Sequence, residues 1–280
     1  MKKTVLTMAL CACAATSVQA ADWSDTSIGY RTGGRFREPF NSNEIHKDII
    51  DINHVSGYAY GTNFFNLDVL LSNKSDPSSP SAKSGAQEFY LLYRNTISMG
   101  KVSGHELAYG PVSDVGLTLG FDVNTKDDAG YNSKKRMLVA GPTFAFKVPG
   151  LLNVGVYGLW ESNAPNNEFT QTSVARYRYD THPMLGAVWA FPIGASGWSW
   201  EGFANWIASK GKDEFGNQTA PETNIDMQLL YDLGPLLGAK PKTFRAGFEY
   251  QYWHNKFGND SKRVPGASAS TPMVKAEYHF

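Results

Sequence analysis

His54 and Ser56 stand two residues apart in the run Ile50-Asp51-Ile52-Asn53-His54-Val55-Ser56-Gly57, and on an extended chain such residues share a face. An imidazole beside a hydroxyl is the pair from which acyl hydrolases assemble base and nucleophile. Ile50, Ile52 and Tyr58 lie on that same face, however, and no oxyanion-donor signature follows. Acyl hydrolysis is therefore an alternative and not the expectation. His46, His105, His182, His254 and His279 are scattered, no His-Glu-x-x-His or carboxylate-rich calcium loop occurs, and Asp127-Asp128 reads as a solvated loop tip. Neither a metal nor a cofactor is expected, and no catalytic residue is assigned. The two cysteines, Cys11 and Cys13, both fall at the extreme N-terminus, so the rest of the chain offers no thiol chemistry.

A larger set of ionisable residues recurs at every second position, between residues that are apolar. Phe65, Leu67, Val69 and Leu71 alternate with Asn66 and Asp68; Leu117, Leu119, Phe121 and Val123 with Thr118 and Asp122; Ile225, Met227 and Leu229 with Asp226 and Gln228; Phe248, Tyr250 and Tyr252 with Glu249 and Gln251. Period 2 is the signature of strands with one apolar and one polar face. It predicts strands near 24–31, 48–58, 62–72, 87–99, 114–124, 134–146, 152–161, 176–191, 198–208, 223–233, 243–254 and 272–280. Beyond residue 20 no run approaches the ~20 apolar residues of a membrane helix. Only a closed barrel spans lipid without helices, and an even strand number suits one. The expected fold is all-β: a single transmembrane antiparallel barrel of about 12 strands.

A soluble sandwich with one buried face would alternate in the same way, so connection length has to arbitrate. Counted from the N-terminus, the even connections are short (57–61, 147–151, 192–197) or moderate (100–112, 233–242), while the odd ones are mostly longer and more polar (32–47, 72–86, 162–175, 209–222, 255–271). Outer-membrane barrels show this asymmetry, with short periplasmic turns and long external loops. Trp198, Trp200, Tyr231, Tyr278 and Phe280 gather near one set of strand ends and Tyr177, Trp206, Tyr250 and Tyr252 near the other, as interfacial girdles do.

The front of the chain fits this placement. Lys2 and Lys3 precede the apolar stretch Val5–Ala15, and Val18-Gln19-Ala20 is a small-residue cleavage site, so residues 1–20 read as a removed secretory signal and 21–280 as the barrel. Of 26 basic and 26 acidic residues, losing Lys2 and Lys3 leaves 24 basic, so no basic field points to nucleic acid. The alternation Val274-Lys275-Ala276-Glu277-Tyr278-His279-Phe280 ends on an aromatic, expected to be read by the barrel-assembly machinery at Phe280.

Several stretches resemble the Tsx-like family of nucleoside-specific outer-membrane channels: Asp22-Trp23 with Gly29-Tyr30 and Arg35-Phe36, Leu119-Gly120-Phe121-Asp122-Val123-Asn124-Thr125, Tyr252-Trp253-His254 and the Tyr278-His279-Phe280 terminus. Gly130-Tyr131-Asn132-Ser133, Leu159-Trp160-Glu161-Ser162-Asn163-Ala164-Pro165 and Pro221-Glu222-Thr223-Asn224-Ile225-Asp226 are similar to a subgroup described as outer-envelope proteins. The resemblance implies a bacterial outer-membrane channel that passes nucleosides through a lumen lined by aromatic and ionisable side chains, and it places a functionally important Phe at Phe36.

The residues themselves, read by parity, put Glu88, Tyr90, Arg94, Asp122, Arg178, His182, Glu201, Asp226, Arg245, Glu249 and Trp253 on the inward face, with Arg35 and Phe36 at the top of the first strand. Both charge signs are present, so strong ion selectivity is not expected, whereas uncharged polyols or bases can be hydrogen-bonded and stacked. Expected partners are nucleosides or other small polar solutes, and outer-membrane lipid. A lumen whose charges pair off and fill it, leaving a structural role, is the other alternative.

Overall fold

The computed structural model describes residues 21–77, 84–128, 130–167 and 171–280. The expected signal segment, 1–20, lies outside the described residues, as do Ser78-Ser79-Pro80 of the second external connection. Twelve long strands run up and down: β1 Trp23–Phe36, β2 Ile45–Tyr58, β3 Gly61–Ser72, β4 Gln87–Ser98, β5 Val112–Asp127, β6 Lys134–Phe146, β7 Leu151–Asn163, β8 His182–Pro192, β9 Trp198–Ile207, β10 Glu222–Asp232, β11 Phe244–His254 and β12 Ser268–His279. Each pairs antiparallel with its sequence neighbours, and β1 closes on β12 through Ser27 to His279 and Thr32 to Val274, so no edge is left. No helix among the described residues is long and apolar enough to cross a membrane.

Three boundaries depart most from the alternation, and one connection carries a helix. β1 runs on past Thr32 through Gly33-Gly34 to Phe36, with a register shift between Gly33 and Phe36, where an external loop was expected. The residues 176–181 were expected to open β8; instead Tyr177–Arg178 pairs back onto β7 at Asn163 and Ser162, and β8 starts at His182. β12 begins four residues early, at Ser268. The connection after β4 carries one short helix, Met99–Ser103, capped by the Ser98 hydroxyl, which accepts from the Lys101 N–H at 3.1 Å.

The outer wall explains why these strands close. Ile28, Ile52, Leu119, Phe121, Leu138 (60% exposed), Trp160, Leu185, Trp206, Phe248 (63%) and Val274 all point away from the interior. Such a belt is untenable in water and is what a hydrocarbon slab requires. The expected parity of β3, β5, β10, β11 and β12 matches this wall.

Inside, parity predicts polarity less well. Phe36, Ile45, Ile49 and Met273 form one buried apolar cluster against β1, β2 and β12, and Met137, Val139, Leu159 and Met184 form a second on β6–β8. Both lie in the half of the barrel near the long loops. A ring can lie flat against this wall only where side chains are missing: a Cβ at Gly155 would fall 2.0 Å from the Tyr157 ring, so the glycine makes room for it.

Candidate functional site

The interior splits into two halves. Toward the long-loop end, side chains from β1, β2, β4, β5, β7, β8, β10 and β12 are almost wholly out of water; toward the short-turn end, Phe64 (39% exposed) and Val188 (48%) face an open lumen. The ion pairs follow this division.

At the long-loop end, described residues of three connections are buried and tied by charge: Glu38, Asp76 and Lys256. Glu38, in the 37–44 loop, takes a hydrogen bond from Lys47 Nζ at 2.6 Å and another from Lys256 Nζ at 3.1 Å. Lys256 lies in the 255–267 loop and also donates to the Arg37 carbonyl at 3.0 Å. Asp76, in the 73–86 loop, accepts from Lys126 at 2.9 Å. Burial alone would raise the Glu38 carboxyl, but Lys126, Lys256 and Lys47 together outweigh it and hold it well below its ordinary value. Burial dominates for Lys256, whose ammonium is held below its usual range although Glu38 opposes the shift. Buried ions without partners are costly, so Lys47 and Lys126 tie loops to the wall and Lys256 ties two loops to each other.

Beside it, Glu161 accepts from Lys210 Nζ at 2.8 Å, with Lys135 at 3.6 Å and His182 Nε2 at 3.9 Å. Above them Glu214 receives the hydroxyls of Tyr131 and Tyr179, which fixes the 208–221 loop over β7. Burial and the Glu214 charge both push those phenols upward.

A central belt crosses the barrel on β1–β3 and β9–β12. Arg31 Nη2 meets Asp68 at 2.7 Å, with Asp51 at 3.6 Å and Glu249 at 3.4 Å. Lys275 lies 3.4 Å from Glu277 and 3.7 Å from Glu249, and Arg245 bridges Glu201 and Glu277. Counting Asp226, bonded by Gln251 at 3.1 Å, six carboxylates face three cations here. On the opposite wall, beside the Arg94–Asp122 pair, a hydroxyl row runs from Thr96 to Thr118 (2.8 Å), Thr143 (2.6 Å) and Tyr157 (2.9 Å). Sequence reasoning missed this row, although three threonines at inward parity on β4, β5 and β6 are its signal.

Of the residues singled out by sequence, Glu88, Tyr90, Arg94, Asp122, Glu201, Asp226, Arg245 and Glu249 line the interior. Tyr90 donates to Asp122 at 2.6 Å and Arg94 pairs with the same carboxylate at 2.5 Å, while Glu88 accepts from Asn124 at 2.6 Å. His182 is inward but buried, its Nδ1 2.7 Å from the Asp180 carbonyl. Four expectations need correction. Phe36 is 3% exposed inside the first apolar cluster, with Lys47 Nζ 5.8 Å from its centroid, so its ring offers no stacking face. Trp253 donates to Glu222 at 2.6 Å and its ring is covered by Phe257 and by Lys256 at 4.5 Å. Arg35, near the end of β1, is solvent-exposed, 3.8 Å from Glu44. Arg178 pairs with Ser162, whose parity is that of Trp160, so it lies on the outer wall.

His54 is likewise outward, and its Nδ1 is 2.8 Å from Thr26 Oγ1 across β1 and β2; no hydrogen bond joins it to Ser56. Among the described residues no cluster of His, Cys, Asp and Glu could hold a metal ion.

An all-next-neighbour antiparallel barrel with an apolar outside, a charged inside and unequal loops is a transmembrane barrel of the outer-membrane kind. A solved structure shares that fold: an outer-membrane channel from Pseudomonas putida F1 superimposes with a TM-score of 0.53 at 10% identity, covering 95% of this chain and 99% of that one. The translocator domain of the autotransporter NalP from Neisseria meningitidis (TM-score 0.48, 12% identity, 100% and 96% covered) and a BenF-like porin from Pseudomonas fluorescens Pf-5 (0.42, 10%, 92% and 98%) are also similar. No family model and no curated protein matches the sequence.

Proposed function

We propose that the protein is a channel of the bacterial outer membrane for small polar solutes, nucleosides first, exported with the 1–20 segment as a cleaved signal and assembled through its Phe280 terminus. The observation that carries the reading is the open short-turn half of the lumen, where Phe64 stands directly beside Arg94 on neighbouring strands and Arg94 holds Asp122 and, through it, Tyr90. A ring, a guanidinium and a carboxylate side by side can stack on a base and hydrogen-bond a sugar. The resemblance to Tsx-like channels supports the same solute class. On this reading the stacking ring is Phe64 in place of Phe36 and Trp253, beside Arg94, which the sequence already put on the inward face. The Glu38 network is the closed state of the mouth, and solute passage requires it to loosen.

Ion current through planar bilayers, with a nucleoside titrated in, tests this. Phe64→Ala should weaken nucleoside block by about tenfold, since stacking on one ring contributes roughly 1–3 kcal/mol. Block that is absent in the parent protein, while current flows, would exclude nucleosides. A second reading, a filled barrel with a structural role, is favoured by the two buried apolar clusters, and it predicts no current at all.

A further inference from the structure

On the outer wall near the long-loop end, the register lines up two rows. Val123, Arg136, Ser162 and Arg178 are successive cross-strand partners, and one pleat nearer the membrane centre Phe121, Leu138 and Trp160 are the same. Neighbouring strands are about 4.8 Å apart and alternate residues on one face about 7 Å apart, so Arg136 and Arg178 flank Ser162 at about 10 Å from each other, immediately above an apolar shelf. Arg176 completes the group, donating to Ser162 Oγ at 3.1 Å. These residues line a cleft of about 670 Å³.

Among the described residues none of the three guanidiniums is ion-paired, although nearly every interior cation is. Burial and the nearby Arg136 charge together depress Arg176. Three unneutralised arginines at one spot on an otherwise apolar wall repel one another, and a chain gains nothing from that unless an anion sits between them. Solvent anions do not explain the shelf beneath, where Leu138 is 60% and Trp160 48% exposed.

We propose that this cleft binds a phosphorylated lipid of the external leaflet, its phosphate held by Arg136, Arg176 and Arg178 and its acyl chains laid along Phe121, Leu138 and Trp160. Guanidinium forks match phosphate oxygens two at a time, and the shelf supplies the hydrocarbon contact that a free anion cannot use. The site is independent of the lumen, so it stands whatever solute the channel passes.

The folded protein in detergent is titrated by native mass spectrometry with bis-phosphorylated lipid A, with the same lipid dephosphorylated, and with inorganic phosphate. The parent should bind the phosphorylated lipid at least about tenfold more tightly than the dephosphorylated one, because arginines attract a charged lipid headgroup. Arg136→Gln/Arg176→Gln/Arg178→Gln should erase that preference, and the triple Arg→Lys variant should keep part of it. Arg178→Gln alone, outside the twelve strands, should give a smaller loss in the same direction and covers the case in which the triple variant fails to fold. Equal binding of the two lipids, an unchanged Gln variant, or complete displacement by millimolar phosphate would each overturn the proposal, the last by reducing the cleft to an ion site.

Discussion

Replacing Glu38 by Gln removes the one carboxylate that binds both Lys47, from the barrel wall, and Lys256, from the last external loop. At an effective dielectric of about 20, an ion pair near 3 Å carries about 5 kcal/mol of gross attraction, most of which desolvation cancels. Removing one partner of a buried pair nevertheless costs about 3–5 kcal/mol, because the remaining charge stays buried. Lys256 can escape that cost if its loop swings outward into water, while Lys47, fixed on β2, keeps Asp76 at 3.8 Å and Glu88 at 3.6 Å. The penalty therefore appears as loop release, shifting the closed-to-open balance by roughly a hundredfold to a few thousandfold. In planar bilayers Glu38→Gln should show higher mean conductance and fewer long closures than the parent. Glu44→Gln, on an exposed pair with Arg37, is the control and should change little. A folded Glu38→Gln protein with parental conductance and dwell times would show that this network does not hold the mouth shut.

The same carboxylate sets a pH dependence. Its folded value lies below the ordinary glutamate value of about 4.5, so its stabilisation is complete above that pH and is lost as the pH falls further. Channel opening in the parent should rise on acidification below about pH 4.5, with Lys47, Lys126, Lys256, Asp76 and Glu88 facing the group, and Glu38→Gln should flatten the response. The central belt, with carboxylates in excess, should make the current cation-preferring, and Glu249→Gln should move the reversal potential in a KCl gradient toward zero. Phe36→Ala should cost about 3–5 kcal/mol of stability, seen in thermal unfolding, with nucleoside block per open channel unchanged, because the ring is core. Purified protein assayed on phospholipid, with and without calcium, should show no hydrolysis that disappears in Ser56→Ala.

The strands were legible because lipid imposes its demand at every second residue. Leu117, Leu119, Phe121 and Val123 form one continuous apolar face, which in a barrel is the outer one, and β5 pairs along it with β4 and β6. The interior was less legible. Parity says that Ile49, Met137 and Leu159 point inward, but not that loops descend to cover them, and the covering depends on contacts far apart in sequence: Glu38 with Lys256 over the first cluster, Glu161 with Lys210 over the second. Phe36 and Trp253 illustrate the limit: an inward aromatic near the mouth reads the same whether it awaits a solute or carries a lysine on its face. Arg178 was misplaced for a local reason. The alternation of Arg176-Tyr177-Arg178-Tyr179 continues smoothly into β8, yet those residues pair on β7 with a register that turns the arginine outward.

Flux of a labelled nucleoside into proteoliposomes tests the central claim most directly, since it needs passage and not merely binding or ion leak. The channel reading predicts uptake well above protein-free vesicles, saturable, and faster in Glu38→Gln. Uptake equal to that of protein-free vesicles, for correctly folded parent and variant alike, would contradict it.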